Sequence, residues 1–263
     1  MRLQEAADML GVHYQTAYGW VRDGQLPARK IRRGYEVSDA DVQALAARRQ
    51  RGREPAAQIK VRDWPAQADR LYSAISDGEE TRARRSTDRL AGHVSVLDLC
   101  DRVIAPALRR IGEDWAAGHV SIAEEHRATA ICERLLATHA TQPAGRPRGT
   151  AVVTTPPGER HGMPALMAAA CLREARWHVH HLSADLPAAE IGRLAAEVGA
   201  SLVVLSTATR AGAASADETA PLVRAAAPGA TVLVGHAGEN LETLLHLAQR
   251  APADPSADPP AGA

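Results

Sequence analysis

The chain has 263 residues with 31 basic and 31 acidic side chains, so its formal net charge is zero, and only 3% of it is aromatic, with no phenylalanine. The length suggests two or three compact units of roughly 100 residues each, and a neutral total argues against a uniformly basic nucleic-acid coat. No stretch nears the roughly 20 apolar residues of a membrane span. The charged start Met1-Arg2-Leu3-Gln4-Glu5 is unlike a signal peptide. The scattered Cys100, Cys132 and Cys171 read as reduced packing residues of a cytoplasmic protein.

Charge is unevenly spread: residues 1–64 carry +4 and the remainder −4. Glu5–Leu10 predicts a short helix, Gly11-Val12 a tight turn, and His13–Val21 a second helix. Arg29, Lys30, Arg32 and Arg33 surround Gly34 in a basic wing, Tyr35–Val37 returns as a strand, and Ser38 and Asp41 cap a closing helix. This pattern resembles the helix-turn-helix of the MerR and excisionase families at Leu3, Ala6, Ala7, Leu10, Gly11, Val12, Thr16, Trp20 and Gly24-Gln-Leu-Pro27. The resemblance implies a DNA-binding domain over residues 1–62, with double-stranded operator DNA as partner. Tyr14, Gln15, Thr16, Tyr18 and Arg22 of the second helix would face the major groove, and Lys30, Arg32 and Arg33 of the wing would supply phosphate contacts. The alternative is a three-helix interaction module with solvated basic residues. The Arg-rich stretch Arg48–Arg62, broken by Gly52 and Pro55, reads as a linker.

From Pro65 to His139 the pattern is helical throughout. Leu71 and Ile75 repeat at helical spacing, as do Leu97, Cys100, Ile104, Leu108 and Ile111. Gly78, Gly92 and Gly118 mark stops, and Ser121-Ile-Ala-Glu124 is a capping box. Four helices with short turns predict an up-and-down bundle over 65–142.

After a second linker, Gln142–Gly149, strands alternate with helices. Strands are expected at Ala151–Thr154, Val179–Leu182, Ser201–Leu205 and Thr231–Val234, and helices at Pro164–Ala175, Ala188–Val198, Ser215–Ala226 and Leu241–Arg250. The alternation implies a Rossmann-like, flavodoxin-like parallel sheet over 148–250, with ligands beyond the strand C-termini. Residues 251–263 read as a disordered tail. In the loop after the first strand, Glu159 stands two residues before His161, a spacing suited to orienting a metal-ligating ring through its other nitrogen. His178, His180 and His181 flank a strand, with 178 and 180 on one face at a spacing compatible with a metal; exposed edge-strand polar groups are the commoner case. Nucleophile-elbow, phosphate-loop and HExxH patterns are all missing, so the chain does not read as an enzyme.

Thr154 through His161, continuing to Ala168–Arg173, resembles the cobalamin-binding domain of CarH/LitR-type photoreceptor repressors, which also carry a MerR-like domain and a four-helix bundle. That likeness covers nearly the whole chain. It implies a multidomain transcriptional regulator built from an all-α winged helix-turn-helix, a four-helix bundle and an α/β Rossmann-like cobalamin-binding domain. The cofactor implied is cobalamin as adenosylcobalamin, with His161 as lower cobalt ligand and Glu159, Ser206 and Gly235 lining its lower side. Trp115 followed by Glu125-His126 resembles the family's bundle signature, implying that the tryptophan stacks over the adenosyl group and the Glu-His pair contacts it. A homodimer or tetramer is implied as well.

The chain departs from the family at four places. Pro164 replaces a glycine after the histidine, and Ser206-Thr-Ala208 stands for Ser-x-Leu. Gly235-His236 stands for Gly-Gly, and Ala116 occupies the position where light-sensing members have a second cobalt-binding histidine. Two rivals follow: a regulator whose site has degenerated to sense another ligand or a protein, and a corrinoid carrier of a methyltransferase system.

Overall fold

The computed structural model describes residues 1–10, 14–22, 24, 26–31, 34–51, 63–91, 93–140 and 146–252, with the backbone alone at 8, 16 and 46–51. Expectations placed on Gly11, Val12, His13, Gln25, Arg32, Arg33 and Gly92 lie outside the described residues, as do those on the side chain of Thr16, on residues 52–62 and 142–145, and on the tail from 253. Two compact units are present, Met1–Lys60 and Val61–Ala263.

In the first unit, α1 (Leu3–Met9) and α2 (Tyr14–Arg22) precede a hairpin of β1 (Ala28–Ile31) and β2 (Gly34–Val37), then α3 (Asp39–Arg51). Leu3, Ala6, Ala7, Ala17, Leu26, Val37, Val42 and Leu45 form one buried cluster. The small alanines let α1 and α2 approach closely, and Leu26 and Val37 tie the hairpin to them. Arg29 and Lys30, expected in a basic wing, sit on strand β1 of this hairpin.

The second unit opens with four helical rods: α4 (Trp64–Ser76), α5 (Glu80–Asp88), a composite third, and α8 (Ile122–His139). The third runs from α6 (Val96–Leu99) through a π turn at Cys100–Ile104 into α7 (Ala105–Ala116). Asp63 accepts the Ala66 N–H (3.0 Å) and Pro65 lies in the first turn, so α4 starts there. Gly78 and Gly118, at φ of 74° and 77°, follow α4 and α7 in a backbone conformation that favours glycine. Ser121 and Glu124 form the expected reciprocal cap of α8, whose buried stripe is Ala128, Ile131, Cys132, Leu135 and Leu136. Each large aliphatic removed from water there contributes about 1.5–3 kcal/mol.

A four-stranded parallel sheet follows, in the order β4-β3-β5-β6: β3 (Thr150–Thr154), β4 (His178–His181), β5 (Leu202–Ser206) and β6 (Thr231–Gly235). Between and after the strands come α9 (Met163–Glu174), α10 (Ala188–Glu197), α11 (Arg210–Ala226) and α12 (Leu241–Ala248). α10 and α11 share one apolar cluster, on one face of the sheet, and α9 and α12 share another. α9 has two working faces. Ala165, Ala168, Ala169 and Leu172 pack on the sheet, while Met163, Met167, Ala170 and Cys171 join the core of the helical rods. Glu174, at its end, accepts the Val96 N–H with both oxygens (2.9 and 3.0 Å), capping α6 from the α/β layer. Among the described residues no helix is long and apolar enough to cross a membrane.

Most expected bounds shift by a residue or two, and two of the shifts have a plain local cause. The third helix predicted in this layer begins at Arg210 instead of Ser215, because Thr209 accepts the Gly212 N–H (2.9 Å) and caps it five residues early. The second strand of this sheet is His178–His181, one residue earlier than expected, since Arg176 turns the chain at φ 68° and the His178 N–H donates to Gly149 O.

Candidate functional site

β3 is flanked by β4 and β5, and the chain leaves it for β4 over one face of the sheet and reaches β5 over the other. The crevice beyond the ends of β3 and β5 is therefore the point where a doubly wound sheet receives ligands. The loop after β3 is held from several sides. Thr155 donates to Glu159 O (2.5 Å) and accepts the Asp185 N–H (2.8 Å), the Gly158 N–H donates to Asp185 (2.7 Å), and Ser215 donates to Pro157 O (2.8 Å). Ser183 and Asp185 carry positive φ of 62° and 61° in the neighbouring loop. Such backbone costs of order 1–3 kcal/mol each and persists where surroundings fix it.

Glu159 is fully buried at the centre of this arrangement. Its Oε1 accepts the His161 N–H (3.0 Å) and faces His161 Nδ1 at 2.5 Å. Its Oε2 accepts from the N–H of Ala208 (3.0 Å), the N–H of Thr209 (2.9 Å) and the Thr209 hydroxyl (2.8 Å). Burial pushes the carboxyl up, but the hydrogen bonds from His161, Ala208 and Thr209 outweigh it and hold the group at about 2. The N-terminus of α11 favours the same negative charge. An ionised Glu159 fixes the proton of His161 on Nδ1 and leaves Nε2 with a lone pair. The imidazole itself is 62% exposed. A buried carboxylate thus aims an open nitrogen donor out of the switch point.

Sequence reasoning found Glu159 and His161 but missed Ala208, Thr209 and Gly212. A β-carbon at Gly212 would stand 2.3 Å from Glu159 Oε2, so that glycine is what lets α11 start against the carboxylate. Ser206 is buried at the end of β5; the partners of Glu159 come from two and three residues beyond it. Thr207 donates through its N–H (2.8 Å) and hydroxyl (3.1 Å) to Gly235 O, closing the ends of β5 and β6. A β-carbon at Gly235 would meet nothing within 4 Å, and His236 is exposed, so neither blocks the space beside β6. Pro164 occupies the first turn of α9, where its missing N–H costs nothing.

On the helical layer, Trp115 ends α7 and is 49% exposed, unusual for so large an apolar ring. Across the turn, Ile122 is also exposed, Glu125 Oε2 lies 2.6 Å from His126 Nδ1, and Thr129 donates to Glu125 Oε1 (3.0 Å). Glu125 and His126 are therefore joined as a pair. Among the described residues no hydrogen bond, ion pair or ring contact links Trp115, Glu125 or His126 to the Glu159–His161 pair. Ala116 has no ligating atom, and His119 is exposed, 3.8 Å from Asp114.

In the first unit, Tyr14 and Tyr18 stack on α2 (6.4 Å between ring centres) and Tyr18 leans on Tyr35 of β2 (5.6 Å). Tyr18 foremost, then slight burial, pushes the Tyr35 hydroxyl above its ordinary value. Gln15, Arg22, Arg29 and Lys30 are exposed, and Arg29 pairs with Glu36 at 2.7 Å.

Three family models match the chain: a helix-turn-helix domain over residues 1–50, and two described as B12 binding domains over 67–138 and 149–250. The HTH-type transcriptional repressor CarH of Myxococcus xanthus is 27% identical over 268 residues, spanning 90% of this chain and 88% of that protein. Among solved structures, the monomethylamine corrinoid protein of Methanosarcina barkeri superposes with a TM-score of 0.54 at 16% identity, over 72% of this chain and 91% of its own. At that identity the likeness concerns the fold.

Proposed function

We propose that this chain is a DNA-binding transcriptional regulator whose state is set by cobalamin bound between the helical layer and the sheet. The observation that carries this reading is the fully buried Glu159 holding His161 by Nδ1, with Nε2 free at the switch point. The residues present fit the cofactor: the donor is an imidazole oriented by a carboxylate, the space beside Gly235 is open, and His236 is exposed.

In this reading residues 1–62 bind DNA, 65–142 cover the cofactor and 148–250 hold it. Cobalamin would supply a cobalt ion, and His161 would be the residue that ligates it. Gly235 and Ser206 border the space for the nucleotide tail. Trp115 offers a flat apolar face to the adenosyl group of adenosylcobalamin, and Glu125, with His126, accepts from ribose hydroxyls. On the DNA side, Gln15 and Arg22 reach base edges, Tyr14, Thr16 and Tyr18 line the groove, and Lys30, Arg32 and Arg33 meet phosphates. Cofactor shifts a homodimer or tetramer equilibrium only through its different affinity for the assemblies. Ala116 supplies no ligand beside Trp115, so a light response built on a second histidine at that position is not expected. The protein acts in the cytoplasm and is not itself an enzyme. The corrinoid-carrier alternative draws on the Methanosarcina fold likeness, and the helix-turn-helix match weighs against it.

The test is purification with adenosylcobalamin in the dark, followed by a visible spectrum and a DNA-mobility assay with and without cofactor. Bound corrin whose absorption changes in His161→Ala, and cofactor-dependent migration, are expected. A chain that retains no corrin, or a His161→Ala protein with an unaltered spectrum, overturns the ligand assignment. Migration of promoter DNA that never changes overturns the regulator.

A further inference from the structure

β4 is the first strand in the sheet order and pairs with β3 alone, leaving its other edge open. Residues two apart on a strand share a face. His178 and His180 lie opposite Thr150 and Val152, and Val152 belongs to the cluster packed by α10 and α11. Val179 points the other way, into the α9 cluster. The two rings are turned towards each other, with centres 4.8 Å apart and planes at 86°. With metal–nitrogen bonds of about 2.0–2.1 Å, two imidazoles bound cis to one ion hold their ring centres about 4.5–5 Å apart. Among the described residues neither ring has a hydrogen-bond or ion-pair partner, so their nitrogens are not committed elsewhere.

We propose that His178 and His180 form a bidentate transition-metal site on the open edge of the sheet. It is separate from the loop that carries His161: His178 opens β4 level with Thr150 at the start of β3, whereas His161 follows the end of β3. Imidazole donors select copper, nickel and zinc over magnesium or calcium. No group of three metal-ligating side chains occurs among the described residues, so the ion keeps open positions for water or an outside ligand. With two donors and no imposed cage, Cu(II) binds ahead of Ni(II) and Zn(II).

The test uses the full-length, tag-free chain titrated with Cu(II) or Ni(II) salt alone, read by calorimetry and by the electron paramagnetic resonance of the copper form. One equivalent per chain is expected, with a spectrum of two nitrogen ligands. His178→Ala, at an exposed position, drops the affinity at least tenfold and removes one nitrogen. His161→Ala and His181→Ala leave this binding unchanged. Thermal unfolding and the corrin spectrum of His178→Ala match the natural chain, which separates the site from the cobalamin reading. Equal metal binding by the His178→Ala and natural proteins, or a copper spectrum with one nitrogen in both, overturns the proposal.

Discussion

Replacing Glu159 by glutamine keeps the shape of the side chain and removes its charge. Two of the five hydrogen bonds go to Oε1 and three to Oε2. A glutamine presents one oxygen and one NH2, so in either orientation at least one backbone N–H faces another donor. An unsatisfied buried group costs about 1–3 kcal/mol. The drop of the carboxyl from 4.5 to about 2 corresponds to about 3 kcal/mol by the same route. The two figures agree, and a loss of about 3 kcal/mol lowers the melting temperature of a unit this size by about 6–12 °C. The pH dependence has a defined sign. A carboxyl with a depressed folded value contributes fully above 4.5 and loses that contribution as pH falls towards 2. The stability gap between the natural chain and Glu159→Gln, measured by urea unfolding, should therefore narrow by about 2 kcal/mol between pH 7 and pH 3. Equal stability at pH 7, or a gap that stays constant across that range, refutes the reasoning.

Other outcomes follow from the same geometry. Gly212→Ala places a β-carbon 2.3 Å from Glu159 Oε2, so either α11 or the carboxylate must move; corrin retention should fall in a spectroscopic titration while secondary structure by circular dichroism is kept. Trp115→Ala removes a half-exposed ring, and should leave urea stability within about 1 kcal/mol while weakening adenosylcobalamin binding in equilibrium dialysis. Lys30→Ala, on an exposed position of β1, should weaken binding to all DNA sequences alike and reduce the salt slope by about one, measured by fluorescence anisotropy.

Much of the framework was legible in the chain because it depends on neighbours in sequence. The capping-box residues Ser121 and Glu124 lie three residues apart, the apolar stripe of α8 repeats at helical spacing, and β3 carries the apolar run Ala151-Val152-Val153 between threonines. Glu159 and His161 were readable as a pair for the same reason, being two residues apart. Thr209 was not, because it meets Glu159 across 50 residues, and a threonine before an arginine carries no sign of a buried carboxylate opposite. Gly212 looks like a helix breaker in sequence and is instead a contact surface. The π turn at Cys100–Ile104 lies inside a run that reads as ordinary helix, since Cys100, Ile104 and Ile111 keep helical spacing through it. Arg29 reads as part of a basic wing, yet its charge is answered by Glu36 from the neighbouring strand.

The double allegiance of α9 bears on how the second unit comes apart. Its Met163, Met167 and Cys171 are buried among the helical rods while Ala165, Ala169 and Leu172 are buried on the sheet. Detaching either layer would expose one side of that helix to water and release the Glu174 cap of α6. The helical rods and the sheet should therefore melt in a single transition, with coincident curves by calorimetry and circular dichroism. A cut between residues 140 and 146, though it severs only one connection, would leave the rods without part of their own interior.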